Sequence, residues 1–103
     1  MDIKHSNLPT EKIVQVILKA LPQVNKIFVF GSRARGDNLN PRADIDVGIC
    51  APQKLDLAQM ARVEMALEEI DTLLSTDLVD FTGRDDDLSR EALRDKVVIY
   101  EKG

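Results

Sequence analysis

Apolar residues recur at Ile13, Val16, Ile17, Ala20 and Leu21, and this three-and-four spacing predicts an amphipathic helix over residues 10–21. Pro22 supplies its stop. The period then shortens. "KIFVF", residues 26–30, is a β-branched and aromatic run that reads as a buried strand ending at Gly31. Residues 32–36 predict one helical turn opened by the glycine–serine step. "DNLNPRA", residues 37–43, is turn chemistry rich in Asp, Asn and Pro. A second strand follows over residues 44–50 and ends before Pro52. Leu57, Met60, Val63, Leu67, Ile70 and Leu74 then mark one face of a long helix over residues 56–74, with Asp56 as its N-cap. Met65 reads as part of the same packing. "TDLVDF", residues 76–81, predicts a third strand that Gly83 breaks. The acidic run Asp85 to Asp87 suits the start of a last helix over residues 88–95. The closing "VVIYE" adds a short edge strand or packs as a tail. The expected order is α-β-α-β-α-β-α, an α/β (α+β) domain.

The length of 103 residues suits one domain over residues 1–103, with 44% apolar and 31% charged residues as in a globular protein. So short a chain builds one core and little else, so a large acceptor would have to be brought by a partner. The net charge of −4 excludes a broadly basic surface for nucleic acid or an anionic membrane, so any anion site is local. No apolar run reaches the roughly 20 residues that span a bilayer. No secretory signal pattern opens the chain, and the single cysteine, Cys50, forms no internal disulfide. The expected location is the cytoplasm. Cys50 reads as a core residue, and His5 as a terminal residue rather than a ligand.

Against this frame, "ADIDVGI" is anomalous, because carboxylates are costly to bury and poor strand formers. Strand alternation places Asp44, Asp46 and Gly48 on one face and Ile45, Val47 and Ile49 on the other. The two carboxylates then stand roughly 7 Å apart along the strand. That spacing suits a hard cation such as Mg²⁺, and Gly48 leaves approach open. Asp80 repeats the oddity inside "DLVDF". If the third strand lies beside the second, Asp80 joins Asp44 and Asp46, and three carboxylates could hold two Mg²⁺ ions for an in-line displacement at phosphorus.

The glycine–serine turn offers the complementary half. Gly31 lets a phosphate approach the backbone, and N–H groups opening a helical turn favour an anion. The Ser32 hydroxyl adds a hydrogen bond, and Arg33 and Arg35 are placed to contact a polyphosphate tail. Each piece alone is common: glycine–serine turns, D-x-D pairs and surface arginines occur in many folds. Specificity comes from their order along the chain.

At "FGSRARGD", "ADIDVGI" and "DLVDF" the sequence resembles the nucleotidyltransferase superfamily of DNA polymerase β, most closely its minimal nucleotidyltransferase (MNT) branch. The resemblance extends from the first helix to the final "VVIYEKG". It implies a nucleotidyltransferase fold, a mixed three- to four-stranded sheet flanked by helices. It implies that Gly31 and Ser32 contact nucleotide phosphates, that Asp44 and Asp46 bind Mg²⁺, and that Asp80 completes the triad as base or metal ligand. The implied reaction transfers a nucleoside monophosphate, commonly AMP from ATP, with release of pyrophosphate. The implied partner is a HEPN-domain toxin, adenylylated on a hydroxyl by its MNT antitoxin. Two features depart from the family pattern: the stretch between Ser32 and Asp44 is one residue longer than usual, and Ala43 stands where serine is common.

Three functions follow as expectations. The first is a Mg²⁺-dependent nucleotidyltransferase acting on a partner protein. The second is a nucleotide-binding module that neutralises its partner by occlusion. The third, transfer to a small molecule, ranks last because little surface is left for that pocket. A helix face wider than the core can cover would serve a partner or a second copy.

Overall fold

Ile13 and Ile17 lie one helical turn apart and are fully excluded from solvent, which fixes the orientation of the first helix, α1 (Thr10–Ala20). The computed structural model describes residues 10–31, 45–70, 76–84 and 86–102. Within them α1 is followed by β1 (Lys26–Phe30), β2 (Ile45–Cys50), α2 (Leu57–Glu68), β3 (Thr76–Asp80), α3 (Asp87–Leu93) and β4 (Val97–Glu101). The closing "VVIYE" is thus a strand. The turn and loop expected over residues 32–43, and His5, lie outside the described residues.

The four strands form one mixed sheet in the order β3-β2-β1-β4. β1 runs antiparallel to both β2 and β4, whereas β2 and β3 are parallel. A parallel pair needs a crossover, and α2 lies in that connection. One face of the sheet is apolar: Ile27, Val29, Ile45, Val47, Ile49 and Leu78 pack with Ile13 and Ile17 of α1 and with Val63 and Leu67 of α2. The opposite face takes the alternate residues of the same strands, including Phe28, Phe30, Asp46, Gly48 and Asp77.

α2 begins where expected. The Asp56 carboxylate accepts from the Gln59 backbone N–H at 2.8 Å, and the Gln59 side chain accepts from the Asp56 N–H at 3.0 Å, a reciprocal capping box. The helix ends at Glu68, and Ile70 completes its buried face. Two residues assigned to packing are instead turned outward: Leu57 is 89% exposed and Met65 67%. Both lie away from the side of the helix that Val63 and Leu67 bury. α3 starts at Asp86, whose carboxylate accepts from the Ser89 N–H at 2.9 Å. Hydrogen bonding from Ser89 holds that carboxyl below its ordinary range. Cys50 is half-buried, and burial pushes its thiol pKa up, opposed by the nearby charge of Lys26. Among the described residues no helix is long and apolar enough to cross a membrane.

Candidate active site

The end of β1 and the start of β2 meet at one point of the sheet, where Phe30 pairs with Asp46. Gly31 follows Phe30 with φ of +77°, in the left-handed region that L side chains rarely adopt. Space makes a second demand there, because a Cβ built on Gly31 would overlap the Asp46 carboxylate. Backbone conformation and close approach therefore both require glycine. The consequence is that the glycine of the glycine–serine step lies directly against a half-buried carboxylate.

The register of β2 and β3 decides which further acid joins it. Asp46 pairs with Asp77, and partners in a parallel ladder share a face. Their backbones lie about 5 Å apart, as neighbouring strands do. Asp77 is exposed and β3 is the sheet's edge, so its carboxylate is open to solvent beside Asp46. Among the described residues no group of three metal-ligating side chains is gathered, so the described part of the site is this pair. Ser32, Arg33, Arg35 and Asp44 lie outside the described residues.

Asp80 does not join the pair. It is level with Ile49 and so shares the face that Ile49 presents to the helices. It also lies three positions along the strand from Asp77, about 10 Å. Its carboxylate is already engaged: Oδ2 accepts from the Leu55 N–H at 2.9 Å, and Oδ1 accepts from the Thr82 N–H at 2.9 Å and the Thr82 hydroxyl at 2.5 Å. Thr82 Oγ1 in turn accepts from the Ala51 N–H at 2.9 Å. These bonds tie the end of β3 to the residues leaving β2. Asp80, expected beside Asp44 and Asp46, is instead bonded on the helix side of the sheet, and Asp77 stands level with Asp46. Parity was the available signal. Asp80 shares the parity of Leu78, whereas Asp77 shares that of Val79 and Phe81, but only the strand pairing shows that Leu78 faces the helices.

Gly48 also differs from expectation. Its missing side chain does not clear a path for a ligand, because a Cβ there would overlap the Phe28 ring. Phe28 pairs with Gly48 across β1 and β2 and lies over the gap. The ring of Phe81 stands 5.4 Å from that of Phe28 and 5.3 Å, edge-on, from that of Phe30. The Arg84 guanidinium lies 5.2 Å from the Phe81 ring centroid.

The fold that brings Gly31 against Asp46 has known counterparts. The family model described as polymerase beta, nucleotidyltransferase, matches residues 11–103. The chain belongs to the polymerase beta nucleotidyltransferase family. Solved structures share the fold of this nucleotidyltransferase. One chain of a toxin–antitoxin complex with AMP-PNP superposes with a TM-score of 0.75 at 22% identity, covering 92% of this chain and 75% of that one. A structure of a tri-AMPylated Shewanella oneidensis HEPN toxin with its MNT antitoxin gives 0.67 at 20% identity, with coverages of 90% and 70%. An MntA–HepT toxin–antitoxin structure gives 0.66 at 19% identity, again covering 90% and 70%. At these identities the likeness establishes the fold. Among curated proteins no sequence matches this nucleotidyltransferase significantly.

Proposed function

We propose that the protein is a Mg²⁺-dependent nucleotidyltransferase that moves AMP from ATP onto a hydroxyl of a partner protein, acting as the MNT antitoxin of a HEPN toxin through one minimal catalytic domain. The observation that carries this reading is the contact of the Gly31 backbone with the Asp46 carboxylate, with Asp77 as the lateral neighbour of Asp46. The donor set fits the metal: hard carboxylate oxygens, with a Cβ-free backbone beside them. Asp44, Asp46 and Asp77 would hold the ion or ions. When bound, Mg²⁺ supplies charge stabilisation to an in-line displacement at phosphorus.

Each residue has a part in this scheme. The Gly31 backbone and Ser32 receive the phosphates, and Arg33 and Arg35 neutralise the triphosphate tail. The acceptor oxygen forms a bond to the α-phosphorus. The bond from that phosphorus to the bridging oxygen breaks, and pyrophosphate leaves. The acceptor's proton passes to a carboxylate of the Asp44, Asp46 and Asp77 set. A solved complex that shares the fold pairs an MNT antitoxin with a tri-AMPylated HEPN toxin, which supports a protein acceptor.

The test is direct. The purified protein is incubated with labelled ATP, Mg²⁺ and the protein encoded by the neighbouring gene. Label on that neighbour, abolished by Asp46→Ala, is the expected result. A stable complex that never becomes labelled would instead assign the protein a purely occluding role.

A further inference from the structure

Resting on the nucleotidyltransferase reading, we infer that Phe81 is a positioning residue: its ring, meeting Phe28 and Phe30 over the gap at Gly48, sets the distance between the Gly31 cradle and the Asp46–Asp77 pair. The three parts of that site come from three places. Gly31 ends β1, Asp46 belongs to β2 and Asp77 to β3. Backbone hydrogen bonds hold neighbouring strands together, but they leave each strand's twist and tilt adjustable.

The aromatic cluster removes that freedom on the site's own face. Phe81 directly follows β3, and its N–H extends the ladder by donating to the Ile49 carbonyl at 2.9 Å. Its ring reaches past β2 to both phenylalanines of β1. Only a glycine at position 48 permits this, since any larger residue would overlap the Phe28 ring. Phe28 is 1% exposed and Phe81 6%, so the cluster is packed rather than superficial. Phe30, its third member, is the cross-strand partner of Asp46 and the residue before Gly31. Its ring lies 6.0 Å from that of Phe28. A displacement of the Phe81 ring is therefore transmitted through Phe30 to the cradle and the carboxylate together. The helix-side core that holds Val63 and Ile17 lies on the opposite face of the sheet from these three rings.

This contrast supplies the control. Phe81→Leu and Val63→Ala each remove buried volume, but on opposite faces of the sheet. Isothermal titration with Mg·ATP is expected to show about tenfold weaker binding for Phe81→Leu, the loss usual when a supporting group of a metal site is removed, and binding within about twofold of wild type for Val63→Ala. Phe81→Tyr, which keeps the ring, restores the affinity. Independently of nucleotide, the backbone amide resonances of Gly31, Asp46 and Asp77 shift in Phe81→Leu and stay in place in Val63→Ala. If those resonances do not move in Phe81→Leu, the inference is overturned, and equal affinity losses in the two variants overturn it as well. If wild type fails to bind Mg·ATP while the resonances move as stated, the nucleotidyltransferase reading falls and the mechanical coupling stands. Should Phe81→Leu fail to fold, Gly48→Ala displaces the same cluster by overfilling it and is read in the same two ways.

Discussion

Asp77 and Asp80 belong to one strand of five residues, carry the same side chain and have opposite fates. Asp77 is exposed beside Asp46, with its carboxylate free to meet a ligand from solvent. Asp80 faces the helices and accepts from Leu55 and Thr82 through both oxygens. An odd number of residues between two positions of a strand leaves them on the same face, and an even number puts them on opposite faces. The two residues between these aspartates therefore put one beside Asp46 and the other on the helix side of the sheet. A strand acid in a small sheet acquires its role from parity and from what lies level with it, rather than from the apolar residues around it.

The comparison can be broken from either side. The largest effect is expected from Asp77→Asn, which should lower AMP transfer by about a thousandfold, about 4 kcal/mol of transition-state stabilisation, while leaving the urea midpoint unchanged. Transfer at the wild-type rate would return the question to Asp80. Next, Asp80→Ala leaves the Leu55 and Thr82 donors without their acceptor and should cost about 3 kcal/mol of stability, measured by equilibrium unfolding. The folded fraction of that variant should still bind Mg·ATP with wild-type affinity. Third, Gly31→Ala forces a left-handed alanine and a collision with Asp46, so a loss of about 2 kcal/mol accompanies loss of nucleotide binding. The smallest effect concerns Asp86, whose folded carboxyl is lowered by Ser89. Its contribution is present above the unfolded carboxyl's pKa and is lost as pH falls through the folded value. The difference in melting temperature between wild type and Asp86→Ala should therefore shrink on acidification.

Much of this fold was legible in the residues themselves. The helix α1 announces itself by Ile13 and Ile17, β1 by "KIFVF", and α2 by Asp56 with Gln59 three residues on. These are local signals, each decided by periodicity or by a side chain's bond to its own backbone. The misreadings concern relations between segments. Leu57 fits the periodic stripe of α2 yet is turned away from the side that Val63 and Leu67 bury. Gly48 looks like open space until Phe28, twenty residues earlier in the chain, is known to lie across from it. Asp80 looks like the intruder in an apolar strand until the register with Ile49 shows which way it points. The closeness of Gly31 and Asp46 was readable because they are neighbours through one antiparallel pair. The partner acid was not, because it arrives through a crossover.

That crossover has a further consequence. A chain emerging from the ribosome as far as Cys50 already carries the cradle and the D-x-D acids, yet nothing secures β3 beside them until α2 has been made and folded back. Closing a pairing across such a crossover is slower than closing a local hairpin. A metal–nucleotide complex that bridged Asp46 and Asp77 would hold that pairing shut and stabilise the folded protein, by an amount that grows with the logarithm of its concentration over its dissociation constant.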